Sequence, residues 1–219
     1  MNTAQQSLAQ ELADTKSSVL SQIPEDSQAV MAQATADLKV SGLTSRSLSV
    51  GDRLPEISLP DVHGNIVNIQ ERLANGPVII AFYRGQWCPY CNTELRVLQR
   101  YLPDFKAAGA SLVAISPQTP DNSLSTTEKN ELEYEVLSDV GNVVARELGL
   151  VFTLPESLRP IYENFGIDLP AHNGDRTFEL PVPATYVVAQ NGEIIYAFAE
   201  ADYTQRAEPS DILAAVKSI

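Results

Sequence analysis

The fold is decided by residues 82–91, which read Phe82-Tyr83-Arg84-Gly85-Gln86-Trp87-Cys88-Pro89-Tyr90-Cys91. The first two of them end the apolar, largely β-branched run 78–83, and the others follow it. That run predicts a strand buried on both faces of a sheet. From Pro89 to about Ala108 the apolar residues have helical spacing, and Pro103 is expected to kink or interrupt that helix. The two cysteines therefore lie where a buried strand gives way to a helix.

Cys88 and Cys91 are the only cysteines of the chain. At a helix N-terminus, free N–H groups and the helix dipole favour an anion and lower the pKa of a thiol. Cys88 stands at the N-cap position, and Cys91 lies one turn further on the same face, so that the sulfurs can meet. Closing so short a loop stabilises a fold very little. The pair is therefore predicted to be a redox-active dithiol.

The residues around the dithiol have less specific roles. Arg84 is interpreted either as a group that stabilises a thiolate or oxyanion, or as a surface arginine on an outgoing strand. Trp87, Pro89 and Tyr90 complete the expected surroundings of the site. A zinc site needs about four ligands, and the two histidines, His63 and His172, stand far apart in separate loops. No metal and no cofactor are predicted, although His172 could approach the dithiol as a base.

From residue 51 onward the pattern predicts an α/β domain with a central mixed sheet and helices on both faces. Residues 150–182 contain four prolines and no strong period, so a long irregular connection or lid is expected there. Two prolines, at 181 and 183, precede the last strand pair and favour a fixed bend with a cis X-Pro bond. The further elements are a hairpin at 56–59 and 66–69, strands at 112–116, 135–137, 184–189 and 194–198, and helices at 121–132, 142–148 and from Pro209.

Residues 1–47 form a separate N-terminal helical extension in this interpretation, and 48–219 form the main domain. Apolar residues recur at helical spacing up to Pro24, and a second helical stretch runs from 26 to 38. The favoured interpretation is that the pair packs on the main domain as a cap. The alternative is an arm that makes a dimer contact, giving a homodimer, or that binds another partner.

Composition excludes several functions. The chain has 219 residues and a net charge of −13, which opposes binding to nucleic acids and to anionic membranes. It has no apolar run of about 18 residues, so no membrane span is predicted. The first residues lack the basic and apolar regions of a secretory signal, and a cytoplasmic location is expected.

With these motifs in hand, residues from about 49 onward resemble the peroxiredoxin branch of the thioredoxin superfamily, the alkyl hydroperoxide reductase and thiol-specific antioxidant family. The resemblance implies a thioredoxin-like fold. It also implies that Pro183 is a cis-proline facing the dithiol and that the backbone of Val182 pairs with a substrate. The segments that carry it, besides the dithiol loop, are Gly51-Asp52, Leu59-Pro60-Asp61, Ile115-Ser116-Pro117-Gln118, Leu137-Ser138-Asp139 and Pro183-Ala184-Thr185-Tyr186-Val187-Val188.

The chain departs from the family pattern at the site itself. Aligned on the preceding strand, Cys91 takes the peroxidatic position, Cys88 replaces the family's threonine and Arg84 replaces its proline. Val182 stands near the place of the family's active-site arginine, and this predicts slow reaction with peroxide, because such a stabiliser is worth several kcal/mol. Arg206 lies in a C-terminal segment that also resembles the family, and its contribution is left open.

Two enzymatic functions follow from the resemblance. In a thiol peroxidase, the Cys91 thiolate attacks hydrogen peroxide or an organic hydroperoxide, Cys88 condenses with the sulfenic acid, and thioredoxin or another dithiol resets the disulfide. In a thiol-disulfide oxidoreductase, Cys88 attacks a partner disulfide and Cys91 resolves the mixed disulfide. A redox sensor with weak peroxidase activity is the third alternative.

Overall fold

The computed structural model describes residues 6–219, so the first five residues of the predicted extension lie outside the described part. Its strands are β1 (Ser58–Pro60), β2 (Ile66–Asn68), β3 (Val78–Phe82), β4 (Ser111–Ser116), β5 (Glu135–Ser138), β6 (Val151–Thr153), β7 (Glu179–Pro181), β8 (Ala184–Val188) and β9 (Ile194–Ala199). Its α-helices are α1 (Leu8–Leu20), α2 (Glu25–Val40), α3 (Ile69–Leu73), α4 (Pro89–Ala107), α5 (Pro120–Asn130), α6 (Val143–Glu147), α7 (Arg159–Asn164), α8 (Leu169–Asn173) and α9 (Pro209–Val216). Among these residues, no helix is both long enough and apolar enough to cross a membrane.

The central sheet has five strands in the order β5-β4-β3-β8-β9. Strands β3, β4 and β5 run parallel, whereas β8 is antiparallel to β3 and β9 is antiparallel to β8. The predicted mixed sheet is therefore confirmed. The predicted early hairpin is formed by β1 and β2, and a third small sheet pairs β6 with β7.

Strand β3 lies at the centre of the sheet, and all five of its residues are buried. Ile79 and Ala81 pack on the side of α4 and α9, while Ile80 and Phe82 pack on the side of α3 and α6. A strand covered on both faces needs apolar residues at every position, which explains the continuous run. The same strand delivers the chain to the dithiol loop in a fixed place.

Helix α4 continues through Pro103, so the expected interruption is wrong. Proline costs a helix one hydrogen bond, here the one to the carbonyl of Gln99. Pro103 is exposed, and water can satisfy that carbonyl.

Residues 150–182 are not irregular, contrary to the prediction. They hold the β6–β7 pair and helices α7 and α8. Prolines 160 and 170 stand in the first turns of those helices, where a missing N–H costs nothing, so they start helices instead of breaking them. The segment has its own apolar cluster, whose buried members are Leu154, Leu158, Tyr162, Leu169 and Leu180.

The N-terminal helices pack on the main domain, as the favoured interpretation expects. Leu8 and Leu12 of α1 are buried against α4. The Glu208 carboxylate accepts hydrogen bonds from the backbone N–H groups of Leu8 and Ala9, at 3.2 and 2.7 Å. Helix α2 has no buried residue and contacts the 3-10 turn at 156–158. Helix α2 therefore packs loosely against the 150–182 segment.

Candidate functional site

The dithiol occupies the predicted strand-to-helix junction. Cys88 is the N-cap of α4 and Pro89 its first residue. Both cysteines are free thiols. Cys88 is 2% exposed and lines a cavity of about 460 Å³, whereas Cys91 is 0% exposed and does not line it. Cys88 therefore stands in front, with Cys91 behind it in the first turn of the helix.

The loop before Cys88 is held by close contacts. The side-chain oxygen of Gln118 accepts a hydrogen bond from the backbone N–H of Gln86. A Cβ at Gly85 would lie 2.3 Å from Nε1 of Trp87 and 2.6 Å from Oε1 of Gln118. No side chain fits there, so glycine is required. The Ser-Pro-Gln segment of the sequence thus has a physical role, because it supports the active loop.

Arg84 is buried beside the dithiol, and its interpretation as a surface arginine is wrong. Its guanidinium carbon lies 4.9 Å from the centre of the Trp87 ring and 4.4 Å from that of Tyr203. One of its terminal nitrogens donates a hydrogen bond to the Tyr162 hydroxyl. Its Nε has no hydrogen-bond partner within residues 6–219. The aromatic rings hold a cation with a spare donor next to Cys88.

Arg206, whose contribution the sequence leaves open, contacts Cys91. Its terminal nitrogen Nη2 donates to Sγ of Cys91 at 3.2 Å. Its Nε pairs with Glu94 at 2.5 Å, and both side chains of that ion pair are 1% exposed. Nη1 donates to the carbonyls of Tyr203 and Gln205, at 2.5 and 2.7 Å. These bonds leave the guanidinium no freedom to turn away from the sulfur.

The two thiols have opposite acidities. Burial raises the pKa of Cys88, but the hydrogen bond with the Cys91 thiol and the charges of Arg84 and Arg206 outweigh it and lower the pKa to about 6. The pKa of Cys91 is raised well above its ordinary value, first by burial and then by the hydrogen bond with Cys88 and the negative charge of Cys88. At neutral pH, Cys88 is therefore the thiolate and Cys91 the thiol that hydrogen-bonds to it.

Two expectations for the strand opposite the dithiol are wrong. Residues 6–219 contain no cis peptide bond, so Pro183 is trans. Val182 is 0% exposed, and its backbone N–H is already donated to the carbonyl of Leu150 at 2.9 Å. The backbone N–H of Val182, which the resemblance assigns to a substrate, is thus already hydrogen-bonded within the β6–β7 hairpin.

The remaining predicted residues lie in different places. Trp87 and Tyr90 both line the cavity, where the Trp87 ring contacts that of Tyr162 at a tilt of 60° with ring centres 5.5 Å apart, and Tyr90 meets Tyr203 edge-on at 5.6 Å. His172 does not line the cavity. Its Nδ1 lies 3.1 Å from the side-chain oxygen of Asn122, so it is not placed as a base for the dithiol.

With this geometry established, known proteins can be compared. Residues 50–197 match the model of the AhpC/TSA family. The chain belongs to this family. It is 30% identical over 147 residues to a chloroplastic peroxiredoxin Q of Gentiana triflora, which covers 67% of this chain and 57% of the relative. It is 28% identical over 111 residues to a 1-Cys peroxiredoxin of Hordeum vulgare, covering 48% and 50% of the two chains.

The matches thus span about half of these AhpC/TSA relatives' length. Among solved structures, the peroxidoxin BcpB of Mycobacterium tuberculosis superposes with a TM-score of 0.62 and 21% identity, over 78% of this chain and 98% of that one. This likeness shows the fold. Helices α1 and α2 lie outside the matched family residues, as predicted for the first 47 positions.

Sequence reasoning missed several residues of this AhpC/TSA site. Tyr162 and Tyr203 form the aromatic cage around Arg84, and Glu94 fixes Arg206. Glu94 offered one signal, because it stands one turn after Cys91 on the buried face of α4. Tyr162 offered none, since the segment that holds it has no clear period.

The acidity of Cys88 leads to a first prediction. Because the thiolate is the reactive form, the rate of alkylation of Cys88 by iodoacetamide should rise with pH and level off above a midpoint near 6. In Arg84→Gln, which removes a cation that favours the thiolate, the midpoint should move to higher pH. Mass spectrometry of the alkylated peptide measures both curves. An unmoved midpoint in Arg84→Gln would show that Arg84 does not set this pKa.

Proposed function

We propose that the protein is a thiol peroxidase that reduces peroxides through a Cys88/Cys91 dithiol-disulfide cycle. One observation carries the proposal: the low-pKa Cys88 thiolate faces a cavity that Arg84 also lines, and behind it lies a second thiol that Arg206 contacts. The names of the relatives, peroxiredoxin Q and 1-Cys peroxiredoxin, support the same class of reaction.

The reaction balances with the groups present. The Cys88 thiolate attacks one oxygen of the peroxide, a sulfur–oxygen bond forms and the O–O bond breaks. The leaving alkoxide or hydroxide takes a proton to give an alcohol or water. The Cys88 sulfenic acid then condenses with the Cys91 thiol, giving a disulfide and releasing water. Arg84 and Arg206 stabilise the negative charge that moves from sulfur to oxygen.

The order of the cysteines differs from the one that alignment on the preceding strand predicts. That alignment makes Cys91 peroxidatic, but Cys91 is fully buried and its pKa is raised. The geometry favours Cys88 as the first nucleophile. The expected slow reaction with peroxide rested on Val182 replacing an arginine, and Arg84 and Arg206 supply guanidinium groups from other elements, so that reason no longer applies.

The disulfide needs an external dithiol, for which a thioredoxin-type reductant is the proposed partner. A thiol-disulfide oxidoreductase is the second candidate, because an acidic first cysteine followed by a buried second one also suits disulfide exchange. The names of the AhpC/TSA relatives, peroxiredoxin Q and 1-Cys peroxiredoxin, favour the peroxidase over this candidate. The redox-sensor role, a homodimer and a cytoplasmic location stay predictions.

A direct comparison of substrates tests the proposal. The reduced protein should consume peroxide in the presence of dithiothreitol and should reduce the disulfides of insulin poorly. Peroxide consumption is followed with a ferrous-xylenol orange assay and insulin reduction by turbidity. Rapid insulin reduction without peroxide consumption would reassign the protein to the disulfide oxidoreductases.

A further inference from the structure

The cavity in front of Cys88 is lined almost entirely by apolar and aromatic groups. Besides the tyrosine hydroxyls and the Trp87 N–H, its polar or charged side chains are Gln22, Arg84 and Cys88, and no carboxylate among the described residues lines it. Its aromatic wall consists of Trp87, Tyr90, Tyr162, Phe165 and Tyr203. Its volume of about 460 Å³ lies in the range of small-molecule sites.

A further part of the lining, the N-terminal wall, comes from helices α1 and α2 and the turn between them. Val19 of α1, Ile23 of the connecting turn and Met31 of α2 line the cavity. Met31 and Val19 are half-buried, and Met31 also borders a second cavity of about 520 Å³. Val19 and Met31 therefore keep part of their surface open to the cavity, whereas Ile23 is buried and Met31 also packs against the apolar cluster of the 150–182 segment. They also lie outside residues 50–197, which match the family.

Hydrogen peroxide is a poor fit to this space. It is about as large as one or two water molecules, each of which occupies roughly 30 Å³ in the liquid. It would leave most of the cavity empty and would not reach the N-terminal wall. An apolar group on the peroxide would fill the space and remove that wall from water, which is favourable.

One buried donor near Cys88 is available to the peroxide oxygens. Nε of Arg84 has no hydrogen-bond partner among the described residues, and Arg84 and Cys88 line the same cavity. A buried donor without a partner is costly, and a hydroperoxide group at Cys88 would satisfy it. The polar end and the apolar end of the cavity thus match the two ends of an organic hydroperoxide.

Resting on the peroxidase function proposed above, we infer that helices α1 and α2 are the specificity element of the site. Val19, Ile23 and Met31 bind the hydrocarbon part of an organic hydroperoxide while its O–O group lies at Cys88. The helical extension thereby selects apolar hydroperoxides over hydrogen peroxide.

The test compares cumene hydroperoxide with hydrogen peroxide on the reduced full-length protein. Trp87 is the only tryptophan, and its stopped-flow fluorescence gives the second-order rate constant for each peroxide. Cumene hydroperoxide should react faster. Met31→Gln keeps the length of the side chain but makes it polar, and should lower the ratio of the two constants about tenfold, the usual effect of a lost apolar contact.

A second variant and a control sharpen the test. Val19→Thr keeps the shape of the side chain and should lower the same ratio. Val40→Thr introduces the same change at the exposed end of α2, where Val40 is 87% exposed, and should leave the ratio unchanged. Faster reaction of the wild type with hydrogen peroxide, or a ratio that neither Met31→Gln nor Val19→Thr changes, would overturn the specificity role and leave the peroxidase proposal standing. Failure of both peroxides to oxidise Cys88 would overturn both.

Discussion

Replacing Cys88 by serine is expected to lower the rate of reaction with peroxide roughly a thousandfold or more, the scale of losing a nucleophile. Cys88 is the cysteine that lines the cavity, so a peroxide can reach it. Its pKa of about 6 makes it a thiolate at neutral pH. In Cys88→Ser the remaining Cys91 is fully buried and does not line the cavity. Stopped-flow fluorescence of Trp87 and mass spectrometry after trapping with dimedone measure the loss.

Cys91→Ser is the matched variant, since both changes replace one sulfur by oxygen. It should still be oxidised once at Cys88, giving a sulfenic acid that dimedone traps, but it cannot form the intramolecular disulfide. The wild type should show little trapped sulfenic acid, because Cys91 removes it. The opposite pattern, with a sulfenic acid at Cys91 in Cys88→Ser and an inert Cys91→Ser, would restore the order predicted by alignment.

Much of the domain could be predicted because local patterns determine it. The apolar run 78–83 needs cover on both faces, and the residues that follow form a helix with one apolar face, so strand β3, helix α4 and the dithiol between them follow from short stretches of sequence. Asn191-Gly192 stands between the strands predicted at 184–189 and 194–198. Such a dipeptide favours a two-residue hairpin turn and so predicts the pairing of β8 with β9, which the structure confirms.

The parts that sequence could not predict depend on contacts between distant residues. Arg206 reaches Cys91 across 115 positions and Glu94 across 112, and no local period records such an approach. Arg84 is buried only because Tyr162 and Tyr203 arrive from two other segments. The acidities of the two cysteines depend on these cations, and so their order in the reaction could not be predicted from spacing alone.

The buried ion pair behind Cys91 gives the second large effect, this time on stability. Arg206→Met leaves the Glu94 carboxylate 1% exposed without its partner, and should lower the free energy of unfolding by roughly 3–5 kcal/mol. Arg146→Met is the matched control, because it breaks the Arg146–Glu179 pair, whose side chains are 52% and 21% exposed, and exposed pairs contribute about 0.2–1 kcal/mol. Urea unfolding of the reduced proteins measures both. Equal losses would contradict a structural role for the buried pair.

The loss of stability in Arg206→Met should depend on pH, because it comes from the buried Glu94 carboxylate. Burial raises the pKa of Glu94 from its ordinary 4.5 to about 7, although Arg206 opposes the shift. Without Arg206 the pKa rises further, so the folded variant keeps a proton that the unfolded chain has released. The unfolded state then binds fewer protons, and stability must fall as pH rises. Arg206→Met should therefore be destabilised less at pH 5 than at pH 8, and adding Glu94→Met should remove this difference.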